Sequence, residues 1–296
     1  MAVPELAWAY LGLGTAVLAA LMMLMQEKMK VEGFALAFWC KIACVITTLP
    51  FVIYYGLPSD PRFYLWLVPQ SFLFAVSDVV MFRSLPKVGA GVVSRLLPST
   101  VVIGFFLWFA VAPEEIKLYV DRPVIGSLIV VVLCGAAFFA MRLRKCVVSM
   151  QALRMLWFVL AANAVSPLMA KITTRYATVA QGAFGFTFAE ALMMIAMWVV
   201  WLAVARPVSF SSLVEKRTWQ RSLPIGIVTA VLVIIFVTSY YYIDNPGYVS
   251  AVQLVYAPII MAAHKWMGKK DDSDVFAGLG IVACAMALIV LKTQLG

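Results

Sequence analysis

The sequence predicts an all-α integral membrane protein with ten transmembrane helices in two inverted five-helix repeats. Hydrophobic residues make up 64% of the 296 residues and charged residues only 12%, whereas soluble domains are about half apolar and about a quarter charged. Ten apolar runs are each about 20 residues long, which is the length that crosses a hydrocarbon core of about 30 Å as a helix. Prolines in the second half also repeat the spacing of prolines in the first, as inverted-repeat transporters often do.

The ten apolar runs define the expected helices. Most are bounded by proline, glycine or charged residues, which are typical of turns. They cover residues 4–25, 33–55, 63–85, 89–111, 124–141, 152–171, 183–205, 222–243, 247–267 and 275–291. We expect Pro86 to end the third helix. Residues 1–142 and 151–296 then form the two repeats, and residues 143–150 form a basic linker.

The internal repeat rests on paired prolines. Shifting the chain by 160 residues places Pro86 on Pro246 and Pro98 on Pro258, with small or apolar residues between them in both copies. A shift of 149 residues pairs Lys41 with Glu190, and the shift changes only across loops. These matches predict an ancient duplication, in which the substrate site lies where two broken helices meet.

The stretch LPKVGAGVVSRLLPST, residues 85–100, carries two costly residues inside an apolar run. Pro98 removes a helix hydrogen bond and frees a carbonyl about one turn earlier, which lipid tolerates only beside protein or a water-filled cavity. Arg95 costs roughly 2.5 to 3.5 kcal/mol at mid-membrane depth and so usually faces a polar pathway. We expect this stretch to form half of a substrate site.

Ionisable residues inside the helices indicate the chemistry of that site. At 1.5 Å per residue, Lys41, Asp78 and Arg95 lie in one layer about 10 Å from the cytoplasmic face. Glu190 is expected at a similar depth from the opposite face. The further polar candidates between these layers are Asn163, Gln253, Tyr242 and Tyr256. The structural alternative is that Asp78 pairs with Arg95 or Lys41 to neutralise a charge that holds the fold.

Lysines and arginines predict the orientation. Fifteen of the 23 lie in loops on the side opposite the N terminus, and five lie on the N-terminal side. The positive-inside rule therefore places both termini outside the cytoplasm. The net charge of +9 then lies mainly beside anionic lipid, so no nucleic-acid partner is predicted.

Other chemistry is disfavoured. The five cysteines all lie in or at the ends of apolar runs, so neither a disulfide framework nor a metal site is expected. The single histidine, His264, stands near a helix end beside Lys265 and is expected to snorkel rather than catalyse. The sequence therefore predicts neither an enzyme nor a cofactor. It contains no ATP-binding P-loop, so transport is expected to be secondary.

Ten helices in two halves with the paired prolines resemble the drug/metabolite transporter superfamily, in particular its EamA-type members. The resemblance implies a carrier for amino acids, nucleobases, nucleotide-conjugated sugars or other metabolites. It implies alternating access, with the third, fourth, eighth and ninth helices around a central cavity. Relatives typically carry a glycine-glutamate pair after the fourth and ninth helices. Glu114 and Glu115 stand at the first of these positions, whereas the second reads GKKDD. Several relatives keep their termini in the cytoplasm, contrary to the charge distribution here.

The expected function is secondary transport of a small polar metabolite that carries an anionic or zwitterionic group. The alternative on the same fold is a lipid or lipid-linked-sugar flippase, which would need a lateral groove. The expected location is a multi-pass position in a bacterial inner membrane. The expected partners are a small-molecule substrate and the lipid bilayer, and a homo-oligomer is possible.

Overall fold

The computed structural model describes residues 5–88, 96–143, 150–205, 213–268 and 274–295, with side chains described throughout except at residues 82–88, 152 and 205. In these ranges the chain is helical and contains no β-strand. The expectation of an all-α membrane protein is confirmed. The predicted linker lies mostly outside the described residues.

Twelve α-helices occur in the described ranges, together with two short 3-10 turns, Pro113–Glu115 and Tyr240–Tyr242. We number the helices in chain order. They are α1 Ala7–Met29, α2 Gly33–Tyr55, α3 Pro61–Val88, α4 Pro98–Val111, α5 Ile116–Asp121, α6 Pro123–Arg142, α7 Met150–Thr174, α8 Val179–Ala205, α9 Lys216–Ser239, α10 Gly247–Gln253, α11 Tyr256–Trp266 and α12 Val275–Leu295.

Nine segments of the described chain are long and apolar enough to cross a membrane, with α10 and α11 together forming one of them. The expected fourth helix, residues 89–111, is described only from residue 96. Its described part is α4, an apolar helix of 14 residues. The count of ten therefore stays a prediction, while the multi-pass membrane class is confirmed.

Prolines mark several helix ends, and one expectation about them is wrong. The third helix continues through Pro86 to Val88, so the expectation that Pro86 ends it is wrong. Pro98 is the first residue of α4, a position where its missing N–H forfeits no helix bond. Pro246 directly precedes α10. Pro258 lies in the first turn of α11, one turn after the break between α10 and α11. The ninth expected helix is therefore broken, as the sequence predicted.

Helices from the two halves of the chain interleave. Helix α2 packs against α8 and α9, and α3 packs against α7 and α8. Helix α1 packs against α9, α10 and α11, while α4 contacts α6 and α7 and α6 packs along α12. This arrangement surrounds a central space with helices from both halves.

The α2–α9 contact is unusually close. A Cβ atom at Gly226 would lie only 2.5 Å from the Cβ of Ala43 and 2.8 Å from the Cα of Cys40. The thiols of Cys40 and Cys44 lie 4.0 and 3.9 Å from the carbonyl oxygens of Ser222 and Gly226. Small residues allow such backbone approach between membrane helices. Both cysteines are packing residues here.

Aromatic residues fill the end of the molecule at which α1 begins. Trp8, Phe105, Tyr240 and Tyr248 are all at most 2% exposed and belong to one cluster. The Tyr248 ring lies 5.9 Å from the Trp8 ring and 5.4 Å from the Phe105 ring. We call these four residues the aromatic plug. It closes that end of the helix bundle.

Candidate functional site

A cavity of about 800 Å³ lies among helices from both halves of the chain. At the end of the molecule where α1 ends and α2 begins, the cavity wall contains Glu27, Lys30 and Val31. The cavity therefore reaches that end. Its walls also include Ala170 and Val237, which belong to the same buried cluster as the aromatic plug. The central cavity is therefore accessible from one end and sealed at the other.

An ion pair in the cavity wall joins the two halves. The Nζ atom of Lys41 on α2 lies 2.9 Å from an Oε2 oxygen of Glu190 on α8. Their side chains are only 14% and 5% exposed. Both residues line the cavity, so the pair borders a space large enough for a ligand.

The expectation that Glu190 lies in a separate layer from Lys41 is wrong. Lys41 stands eight residues beyond the start of α2, about 12 Å from one end of the bundle. Glu190 stands eleven residues beyond the start of α8, about 17 Å from the other end. The two depths are measured from opposite ends and add up to about the thickness of a hydrocarbon core. Both residues therefore lie at the same level. Helix α8 begins four residues earlier than expected, which carries Glu190 to the depth of Lys41.

Asp78 on α3 shares the same wall. Asp78 lies close enough to Lys41 and Glu190 for the charges of the three side chains to interact. The lysine of this cluster makes its direct ion pair with Glu190 rather than with Asp78. Arg95, the other expected partner of Asp78, lies outside the described residues.

The remaining predicted residues divide into two groups. Pro98, Gln253 and Tyr256 line the cavity, the last two at the break between α10 and α11. Asn163 instead donates a 2.8 Å hydrogen bond to the carbonyl of Val159 on its own helix. Two more of the predicted residues lie outside the cavity wall. Tyr242 packs against the cluster that contains the aromatic plug, and Pro258 is buried behind the wall.

Gln70 is a cavity residue that the sequence reasoning missed. It is 1% exposed, and its Nε2 donates a 3.3 Å hydrogen bond to the hydroxyl of Ser166 on α7. Among the described residues its Oε1 atom has no hydrogen-bond partner. A buried glutamine in an apolar run beside Pro69 was the available signal, since buried polar groups are normally satisfied. The residue lines the cavity, and its oxygen is buried beneath the cavity surface.

Polar contacts brace the sealed end. The hydroxyls of Tyr119 and Tyr248 lie 2.8 Å apart, and Asn245 donates a 3.2 Å hydrogen bond to the carbonyl of Phe105. Lys171 donates a 2.6 Å hydrogen bond to the carbonyl of Tyr240. Burial raises the pKa of Tyr119, so its hydroxyl stays protonated and able to donate at neutral pH. These bonds tie α5, α7 and the segment before α10 around the aromatic plug.

Glu115 adds a further contact at the sealed end. Its carboxylate accepts a 2.9 Å hydrogen bond from the indole nitrogen of Trp108. Burial raises the pKa of Glu115, and the hydrogen bond from Trp108 partly opposes that shift. The pair joins the end of α4 to the short helical turn that follows it.

His264 meets Glu27 near the accessible end. The Nε2 atom of His264 on α11 lies 2.7 Å from an Oε2 oxygen of Glu27 on α1. His264 is only 8% exposed, so the expectation that it snorkels to the membrane surface is wrong. It joins α11 to the end of α1, and Glu27 lines the cavity.

A separate apolar groove runs between α3 and α8. Phe72, Ala75 and Val79 line it on α3, and Met197 and Trp201 line it on α8. Phe74, on the other side of α3, lines the central cavity instead. At the floor of the groove, the indole nitrogen of Trp198 donates a 3.2 Å hydrogen bond to the carbonyl of Ala75. Helix α3 and this bond separate the groove from the cavity.

The fold and the cavity define the class: a multi-pass helical membrane protein with a partly polar cavity at the depth of its membrane-spanning segments. No known protein-family model matches the chain, and no curated protein shows significant sequence similarity to it.

Proposed function

We propose that this protein is a secondary transporter that moves a small metabolite with an anionic or zwitterionic group by alternating access. One observation carries the proposal. A buried pair of opposite charges, contributed by both halves of the chain, borders a cavity that is accessible from one end and sealed at the other. A carrier needs such a site at mid-membrane, reachable from one side at a time.

The pattern of helix packing supports the proposed duplication. In the proposed repeat, each of the first five expected spans corresponds to the span five places later. The contact between α3 and α7 then corresponds to the contact between α9 and α1. Likewise, the contact of α2 with α9 corresponds to that of α8 with α3. The contact of α4 with α7 corresponds to that of α10 and α11 with α1. Both members of each pair of contacts occur. An odd number of spans per half would give the halves opposite orientations, as the proposed inverted repeats require.

The broken helix supports the proposal in a second way. The chain between α10 and α11 interrupts the helix beside Gln253 and Tyr256, at a position that lines the cavity. Irregular backbone at membrane depth is tolerated only where protein or a water-filled cavity satisfies it. Transporters use such breaks to present backbone groups to substrates. This arrangement, together with the paired prolines, favours membership of the drug/metabolite transporter superfamily of EamA type.

The accessible end is the end that the lysine and arginine distribution assigns to the cytoplasm. Under that assignment the structure is inward-facing, and both termini lie outside the cytoplasm of a bacterial inner membrane. A reporter fused after Gly296 should then give a non-cytoplasmic signal. A cytoplasmic signal would reverse the orientation and make the same cavity outward-facing.

The flippase alternative receives less support. A flippase needs a lateral groove that lets a lipid headgroup reach the polar site while its chains stay in the membrane. The described groove between α3 and α8 is apolar, and α3 with the Trp198–Ala75 hydrogen bond separates it from the charges. A fully enclosed substrate is therefore favoured.

Ligand-induced stabilisation tests the proposal directly. Purified protein is screened by thermal unfolding against amino acids, organic anions, amines, nucleotides and lipids. A ligand present at about 100 times its Kd stabilises by about 2.7 kcal/mol. The response to any hit should disappear in Lys41→Met and survive in a matched lipid-facing change, Val204→Met. A response to lipids alone would favour the flippase, and saturable counterflow in proteoliposomes would distinguish a carrier from a passive binding protein.

A further inference from the structure

The wall of the central cavity is divided by polarity. Helix α9 contributes Ile225, Thr229, Leu232, Val233, Phe236 and Val237. Only one of these has a polar side chain, and the hydroxyl of Thr229 donates a 2.9 Å hydrogen bond to the carbonyl of Ile225 on its own helix. Met22 and Met23 on α1 and Ile260 and Met261 on α11 extend this side, while the polar residues Gln26, Glu27 and Lys30 lie at the end of α1 near the cavity opening. This side of the cavity offers a broad apolar surface.

An adjoining part of the wall carries the charges. Lys41, Glu190 and Asp78 come from α2, α8 and α3, which pack against one another. Gln70 on α3 adds a buried oxygen atom that has no hydrogen-bond partner among the described residues. Such an oxygen normally costs free energy unless a donor reaches it. The charged side of the cavity provides a cation and two carboxylates, and the Gln70 oxygen is buried behind them.

We propose that the substrate is amphipathic, with a zwitterionic head on the α2–α3–α8 side and an apolar body along α9. This inference rests on the proposed function and narrows its substrate class. A volume of about 800 Å³ falls in the upper part of the range for small-molecule sites. A small, wholly polar metabolite would leave the surface of α9 in contact with water. An apolar body gains affinity by removing that surface from water.

The expected effect is a steady increase in affinity with chain length. Burial of each methylene contributes a transfer free energy that corresponds to about a fourfold lower Kd. The increase should stop at the length that fills the cavity. The head contributes a constant affinity that does not depend on the length of the body.

Straight-chain 2-amino acids with side chains of one to ten carbons are the probes. Their Kd is measured by thermal stabilisation of the native protein and of four variants. Val233→Phe reduces the space along α9, and Leu232→Ala enlarges it. Val231→Phe is the matched control, because Val231 is 37% exposed on the outer face of α9. Asp78→Asn removes one negative charge from the charged side and keeps the side-chain volume nearly constant.

The variants should separate the body from the head. Val233→Phe should shorten the longest chain that binds, and Leu232→Ala should lengthen it. Val231→Phe should leave the limit unchanged. Asp78→Asn should weaken every member of the series by a similar factor of about ten, because the ammonium group of each probe loses a charged acceptor. Comparing variants at equal chain length cancels the partitioning of long probes into detergent.

Two results would overturn the inference in different ways. If the shortest probes bind as tightly as the longest, or if the length limit ignores changes at Val233 and Leu232, the amphipathic assignment fails while the transporter proposal stands. If no member of the series binds the native protein, the zwitterion assignment of the proposed function fails as well.

Discussion

The Lys41–Glu190 ion pair provides the sharpest test of the structure. We consider Lys41→Met, Glu190→Gln and the double variant. At 2.9 Å and an effective dielectric constant of about 20, the two charges attract each other by about 6 kcal/mol. Much of this attraction is offset, because both groups have lost water on burial. Removing one partner forfeits the attraction and strands the other charge, which typically costs about 3 to 5 kcal/mol.

Asp78 makes the two single variants unequal. Lys41→Met leaves two carboxylates, Glu190 and Asp78, on one wall, whereas Glu190→Gln leaves Lys41 beside Asp78. We therefore expect Lys41→Met to be the more destabilising change. The double variant should lose less free energy of unfolding than the sum of the two single variants, with a coupling of about 2 kcal/mol or more.

Unfolding of the purified protein in mixed micelles, followed by circular dichroism against denaturant, measures these free energies. The exposed pair of Arg62 and Asp60, at 2.7 Å, serves as a control, since surface ion pairs contribute little to stability. If the losses of the two buried single variants simply add, the ion pair does not form as described. The explanation of the site would then have to be rebuilt.

Three further predictions concern the broken helices and the sealed end. Pro98→Ala and Pro258→Ala should leave membrane insertion intact and impair transport, because alanine has an N–H and lacks the ring that limits the helix, so a continuous, straight helix becomes favoured; normal transport in both would reduce the prolines to packing residues. Tyr119→Phe removes a hydrogen bond between two tyrosine hydroxyls, so exchange of the amides in residues 247–253 should accelerate about fivefold, and unchanged exchange would contradict its bracing role. Burial raises the pKa of Glu115, so the folded state binds a proton more tightly than the unfolded state. Stability should therefore fall as the pH rises from the pKa of the unfolded state to the raised pKa of the folded state. Glu115→Gln should remove this fall, which thermal unfolding at pH values from the ordinary glutamate pKa upwards measures, and identical pH profiles would refute the prediction.

The sequence predicts the class and most helix positions because hydrophobic runs of membrane length leave few alternatives. The second helix was predicted at residues 33–55 and is found at Gly33–Tyr55. The break in the ninth helix was also foreseen, since Pro258 cannot bond the carbonyl one turn earlier. Helix ends were less certain, because Pro86 lies within α3 rather than after it.

Contacts within the site were harder to predict. Depth along a helix can be counted from sequence, but the direction in which a side chain points depends on how each helix is rotated in the bundle. Asn163 lies at a suitable depth and yet bonds its own backbone, while Gln70 faces the cavity without a distinctive motif. The error for Glu190 was smaller. It arose from four residues at the start of α8, since each residue moves a side chain by about 1.5 Å.

The ion pair also constrains the history of the chain under the proposed duplication. Lys41 and Glu190 are separated by 149 residues, the same shift that aligns the second expected helix with the seventh. A residue that touches its own counterpart must lie on the pseudo-two-fold axis between the halves. In a symmetric ancestor built from two identical copies, that position would have faced itself, and lysine against lysine or glutamate against glutamate would repel. The present pair could arise only after the copies were free to diverge, so neither half can replace the other.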